Sequence, residues 1–148
     1  MSPERDEFDA LPQLRWMDSL IIGVPEIDAD HQQLIEDAER LRTLVRRSSP
    51  WREIMAMIEA MAERCTAHFR REEAILERDR FPSHTDHRRE HARIEDQIKD
   101  IRARLRGDGA PPTPAMIEVA LYFRSMLIDH LLRHDLKYKS HLLYVRGA

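Results

Sequence analysis

Apolar residues recur along this chain at the alternating three- and four-residue steps that are typical of amphipathic helices. Four stretches share this pattern, and they span residues 31–45, 54–75, 84–105 and 116–135. No stretch alternates apolar and polar residues in the two-residue period of a half-buried strand. The pattern therefore predicts an all-α protein built from four long helices.

Helix breakers separate the four stretches. Ser49-Pro50 and Thr113-Pro114 each place a capping residue before a proline, which the first turn of a helix accepts, and Asp28 is expected to cap the first helix. A turn at 79–83 and a loop at 107–112 supply the other breaks. Connections as short as these favour an up-down-up-down antiparallel four-helix bundle.

The beginning of the chain has a different character. Residues 1–25 carry three prolines and a glycine, together with Trp16 and the apolar run Leu20-Ile21-Ile22. So apolar a segment is expected to pack rather than to extend into solvent. We predict that residues 1–25 form an N-terminal arm packed on the bundle, and that residues 26–148 form the helical domain.

The composition argues against several classes of protein. A net charge of -3 over 148 residues does not suit a nucleic-acid surface, which is normally basic. No run of about 18 apolar residues is present, so no membrane partner is expected. The charged N-terminus lacks the apolar core of a signal peptide, and Cys65 is the single cysteine, so the cytoplasm is the expected compartment.

Seven polar, ligand-capable residues lie in or beside the helical stripes, most of them where an apolar residue would be expected. They are His31, His68, Glu72, His87, His91, His130 and Asp135. In an up-down bundle the start of one helix meets the end of the next, so all seven would converge at one end. A buried polar group without a partner costs about 1 to 3 kcal/mol, and a buried charge costs more. Bound metal is the natural compensation.

The donor set favours two metal ions over one. A closed zinc site takes four ligands, whereas five imidazoles and two carboxylates are present here. Imidazole suits Zn, Cu, Fe and Ni, and a carboxylate can bridge two ions. We therefore predict a dinuclear centre with one open coordination position. Ordinary hydrogen-bonded histidines and carboxylates are the alternative for any single member of the set.

Short motifs around these residues resemble the hemerythrin family, in particular the single-domain bacterial hemerythrins. The matching segments are Gly23–His31, His68–Glu73, Phe81-Pro82 before His87 and His91, and His130 with Asp135 five residues later. The resemblance extends from about Trp16 to Tyr144.

The resemblance implies a non-heme di-iron site that binds dioxygen reversibly, for storage, transport or delivery. It implies a binding protein rather than an enzyme. It assigns one iron to His87, His91 and His130, and the other iron to His31 and His68. Glu72 and Asp135 are assigned as bridges between the two irons. A solvent-derived oxo or hydroxo group completes the bridge, and dioxygen binds the iron held by two histidines. Dioxygen is the implied partner, and any redox or oxygen-accepting protein stays unidentified.

The family pattern also implies an apolar lining for the dioxygen pocket. Its members here are Leu34, Phe69, Met126, Leu127 and Leu131, each of which bundle packing explains equally well. Met126 stands where the family usually has a tryptophan. Because methionine is narrower and more flexible, we predict a less restrictive pocket and faster autoxidation than in relatives with the tryptophan.

Several points stay open at this level. Five residues separate His130 from Asp135, which corresponds to about 140° on a regular helix. Either a π-bulge or two adjacent stripes would bring them together, and by periodicity alone His134 is a rival ligand. His84 suits a helix start, and Tyr138 matches a family tyrosine that could hydrogen-bond near the site.

Two alternative functions are an oxygen or redox sensor, and an enzyme that reduces nitric oxide or peroxide.

Overall fold

The structure is a computed structural model that describes residues 3–107 and 109–145. Its helices are α1 (Pro3–Asp9), α2 (Pro25–Arg46), α3 (Trp51–Arg78), α4 (His84–Leu105), α5 (Thr113–Asp129) and α6 (Leu136–Val145). A short 3-10 helix spans Asp18–Leu20, and a π-helix at His130–Asp135 joins α5 to α6. The described residues contain no strand, which confirms the all-α prediction. Residues 1–2 of the predicted arm, and residues 108 and 146–148 of the predicted helical domain, lie outside the described residues.

The predicted helix starts need correction by one to four residues. α2 begins at Pro25 rather than after Asp28, because proline fits the first helical position. The Asp28 carboxylate instead accepts the backbone N–H groups of Ile22 and Gly23, at 2.8 and 3.0 Å, and so fixes the turn before the helix. At α3 and α5 the residue before the first turn is Pro50 or Pro112, without a side-chain cap.

The long helices form a helical bundle in which α2 packs against α3 and α5, and α3 packs against α4. Among the described residues, two separate apolar clusters fill the interior. The larger contains Leu41, Ile58 and Phe123, none of which is exposed to solvent. The smaller cluster lies on the opposite side of the predicted site residues from the larger one, and it includes Leu76 and Tyr138. The predicted site residues lie in a polar layer between these two clusters, and each of them is buried.

The N-terminal segment lies against the bundle through specific contacts. Phe8 of α1 is buried in the larger cluster, and α1 contacts α5. Farther along, the Leu14 N–H donates to the Glu39 carboxylate at 2.8 Å, and Arg42 donates to the Leu11 carbonyl. These bonds hold the irregular segment along α2. In the part of the chain that the structure describes, no helix is long and apolar enough to cross a membrane.

Candidate metal centre

The structure brings all seven sequence-predicted ligands into one buried cluster. None of them is more than 2% exposed. One lies on α2, two on α3, two on α4 and two in the π-helix, in the order His31, His68, Glu72, His87, His91, His130 and Asp135. Spacing by four residues places both members of the α3 pair, and both members of the α4 pair, on one helix face.

The π-helix explains the five-residue spacing that a regular helix does not accommodate. Its bonds run from residue i to i+5, so His130 and Asp135 lie one turn apart and face the same way. Asp135 Oδ1 is 3.3 Å from His130 Nε2. His134 is instead half-buried at the side of the cluster, where its ring stacks on His130 with centroids 5.8 Å apart. The π-bulge is therefore the correct one of the two explanations.

The donor atoms divide into two groups, each compact enough to surround one ion. One consists of Glu72, His87, His91 and His130, and the other of His31, His68, Glu72 and Asp135. Within each group the donor atoms lie within 4.8 Å of one another. A third, half-buried group contains Glu90, Asp129 and His134, but an arginine already pairs with each of its carboxylates.

Glu72 belongs to both main groups because its two oxygens face opposite ways. Oε2 lies 3.0 Å from His68 Nε2 and 3.3 Å from His31 Nε2. Oε1 contacts His87 Nε2 closely and lies 3.2 Å from His91 Nε2. One carboxylate thus presents one oxygen to each group, which is the arrangement of a bridging ligand.

Asp135 repeats this division from the opposite side of the cluster. Its Oδ2 lies 2.9 Å from His31 Nε2, and its Oδ1 lies 2.9 Å from His87 Nε2. Despite this proximity, neither oxygen has a hydrogen-bond partner among the described residues. Two buried carboxylate oxygens need a cation beside them, which is a metal ion or, without metal, the protonated ring of His31 or His87.

The nitrogen–nitrogen distances also fit shared metal ions. His31 Nε2 and His68 Nε2 lie 3.1 Å apart, and His91 Nε2 and His130 Nε2 lie 3.3 Å apart. Two imidazoles at about 2.1 Å from one ion, separated by roughly 90 to 110°, would place their nitrogens about 3.0 to 3.4 Å apart. The residues present therefore fit a pair of transition-metal ions.

Two carboxylates that sequence reasoning missed hold the far side of the ligand rings. His68 Nδ1–H donates to Asp30 at 3.1 Å, and His91 Nδ1–H donates to Glu73 at 2.9 Å. Such bonds fix the tautomer, so that Nε2 presents its lone pair to the metal. Asp30 directly precedes His31 and Glu73 directly follows Glu72, but adjacency along a helix does not predict which distant histidine each carboxylate contacts.

The charges of the metal-free cluster balance internally. Burial would lower the pKa of His31, but Asp135 and Glu72 outweigh it and raise the pKa to about 10. His87 follows the same pattern, with burial opposed by the same two carboxylates and a pKa raised to about 9. Burial would raise the pKa of Glu72, and the facing histidines instead hold it well below its usual range. Without metal, protonated imidazoles occupy the role of the cations.

Aromatic and apolar side chains enclose the cluster. Phe69 stacks on His91 with ring centroids 4.1 Å apart and an interplanar angle of 12°. The five residues predicted to line the dioxygen pocket are all buried: Leu34, Phe69, Met126, Leu127 and Leu131. Their role as a pocket stays a prediction, since burial alone also describes ordinary core residues.

Two other expected residues act at the helix ends. His84 begins α4, and its Nδ1–H donates to the Phe81 carbonyl at 3.0 Å, as expected of a helix-start residue. The Tyr138 hydroxyl donates to Asp79, the residue after α3, so it connects α6 to the end of α3. Tyr138 is buried in the smaller apolar cluster beside Phe81.

Comparison with known proteins agrees with this geometry. A family model described as the hemerythrin HHE cation-binding domain matches residues 22–142, which include all seven clustered ligands. A search of curated proteins gave no match. The family model covers most of the chain, and the chain therefore belongs to the hemerythrin HHE cation-binding domain family.

Proposed function

We propose that this protein binds dioxygen reversibly at a pair of non-heme iron ions, for oxygen storage, transport or delivery. The observation that carries the proposal is the division of Glu72 and Asp135, each of which presents one oxygen to each histidine group. A single ion would not require two carboxylates in that arrangement. Membership of a cation-binding family supports metal at this place.

The two groups differ in their number of imidazoles, and this difference supports a proposal for where dioxygen would bind. His87, His91 and His130 would hold one iron, and His31 and His68 would hold the other. If both carboxylates were shared, an iron beside His31 and His68 would have the smaller protein ligand set and would be the one that binds dioxygen. A pair of ferrous ions supplies the two electrons that dioxygen accepts on binding and returns on release.

The protein's own groups keep this reaction reversible. Apolar clusters lie on both sides of the polar layer, and Phe69 covers the His91 ring. Exclusion of water and protons slows the loss of reduced oxygen species that leads to autoxidation. Five neutral imidazoles with only two carboxylates also stabilise high-valent iron less than a Glu-rich shell does, which favours release over O–O cleavage.

We also propose that the four long helices run up-down-up-down. The connections from α2 to α3 and from α3 to α4 contain only a few residues, which favours antiparallel neighbours. The site supports the same topology, because the start of α2 and the end of α3 meet where His31 contacts Glu72.

An oxygen electrode tests the proposal on anaerobically reconstituted ferrous protein. We expect uptake of one dioxygen per pair of irons, and recovery of the gas when argon is passed through the solution. Irreversible uptake, accompanied by turnover of nitric oxide or peroxide with a reductant, would favour the enzymatic alternative. Glu72→Ala should lose the uptake together with one or both irons.

A further inference from the structure

Arg71 is a surface residue of α3 that contacts the candidate metal centre indirectly. Its side chain is half-exposed, and its Nε and Nη2 donate to the two oxygens of Asp30 at 2.8 and 2.7 Å. Asp30 in turn accepts the His68 Nδ1–H at 3.1 Å. A continuous hydrogen-bonded chain therefore runs from solvent to one of the two histidine groups.

The neighbouring residue Arg70 begins a parallel chain to the other histidine group. It donates to both oxygens of Glu73 at 2.7 Å, and Glu73 accepts the His91 Nδ1–H. The two hydrogen-bonded chains differ in how many arginines face the carboxylate. Arg88 also faces Glu73 at 3.6 Å, whereas Arg71 is the only arginine or lysine that pairs with Asp30 among the described residues. Loss of Arg71 would thus leave Asp30 without a substitute.

We propose that Arg71 is a positioning residue for the metal held by His31 and His68, acting through Asp30 on the His68 ring. The inference rests on the proposed dinuclear centre. The planar guanidinium binds both oxygens of Asp30 in one fixed geometry, which a lysine cannot reproduce. Asp30 is thereby held towards His68, and His68 presents Nε2 to the metal in a single tautomer.

Arg71 also affects how strongly His68 donates to the metal. A carboxylate on Nδ1–H raises the basicity of the ring, which strengthens the metal bond and stabilises the ferric state. If Arg71 is removed, Asp30, whose side chain is 19% exposed, is free to turn towards water. We then expect weaker metal binding and a higher reduction potential at this position, while the metal near His91 keeps its own carboxylate.

Titration of the metal-free protein with Co²⁺, followed by its visible spectrum, tests this inference. We expect Arg71→Met to weaken one of the two Co²⁺ sites roughly three- to tenfold, Arg71→Lys to have a smaller effect, and Asp30→Ala to weaken it about tenfold or more. Arg102→Met is the matched control, since Arg102 also binds a carboxylate through two bonds, 2.9 and 2.6 Å long. It lies eleven residues beyond His91, about 16 Å along α4.

A double-mutant cycle shows whether Arg71 acts through Asp30. In the Asp30→Ala background, Arg71→Met should have no further effect on Co²⁺ affinity, and both single variants should raise the reduction potential of the iron-loaded protein. Effects that add fully, or an Arg71→Met protein with unchanged affinity and potential, would overturn the inference. If wild-type protein itself failed to bind two Co²⁺ ions, the dinuclear proposal would be wrong instead. Circular dichroism checks the fold, and Arg71→Lys provides a second variant that keeps the charge.

Discussion

Binding of metal to this site should release protons in a number that the structure specifies. The pKa values of about 10 for His31 and about 9 for His87 mean that both imidazoles are almost fully protonated at pH 7.5 without metal. Metal binds only the neutral imidazole, so each must lose its proton. These two residues alone therefore contribute about two protons per chain, and the raised pKa of His68 adds to that number.

Anaerobic titration with Zn²⁺ in a weakly buffered solution, read with a pH indicator, measures the release directly. Any proton lost from a bridging solvent molecule adds to this number, so about two protons per chain is the smallest release expected at pH 7.5. Mg²⁺ provides the control, because it prefers oxygen ligands. Release of less than one proton at pH 7.5 would refute the internal charge balance of the cluster.

Four further predictions concern the pocket, the bridge, pH and the single thiol. Met126 is buried, and Met126→Trp should slow autoxidation of the oxygenated protein; an unchanged rate would contradict a gating role for this position. Glu72→Ala should abolish the paired site, so a variant that retained two irons per chain by elemental analysis would exclude Glu72 as the bridge. In the metal-free protein the raised pKa values of His31 and His87 stabilise the fold fully below about pH 6.5, and this contribution is lost as the pH rises through 9 to 10. Urea unfolding in the presence of a chelator should thus give a lower free energy of unfolding at pH 9.5 than at pH 6.5, and the opposite order would refute the assignment. Burial, with the charges of Asp37 and Glu95, raises the pKa of Cys65 to about 12, so the native protein should not react with a thiol reagent at pH 8, whereas the urea-unfolded protein should.

The sequence predicted the helices and the clustered ligands because both depend on spacing. Steps of three and four residues fix which side chains share a helix face, and they place His68 with Glu72 and His87 with His91. Burial of these polar residues then predicts a compensating ion.

Other features depend on backbone geometry or on contacts between distant residues. Periodicity could not decide between His134 and Asp135, since the π-helix changes the register locally. The start of α2 was misplaced because Asp28 caps the preceding turn rather than the helix. Asp30 was missed because its partners His68 and Arg71 lie about 40 residues away in the sequence.

The most direct test of the dinuclear proposal is anomalous diffraction at the iron absorption edge from crystals of reconstituted protein. We expect two iron peaks per chain, one bonded to His31 and His68 and the other to His87, His91 and His130. Glu72 and Asp135 should each contact both peaks. A single peak, or iron bound elsewhere while Glu72 and Asp135 pair only with histidines, would contradict it.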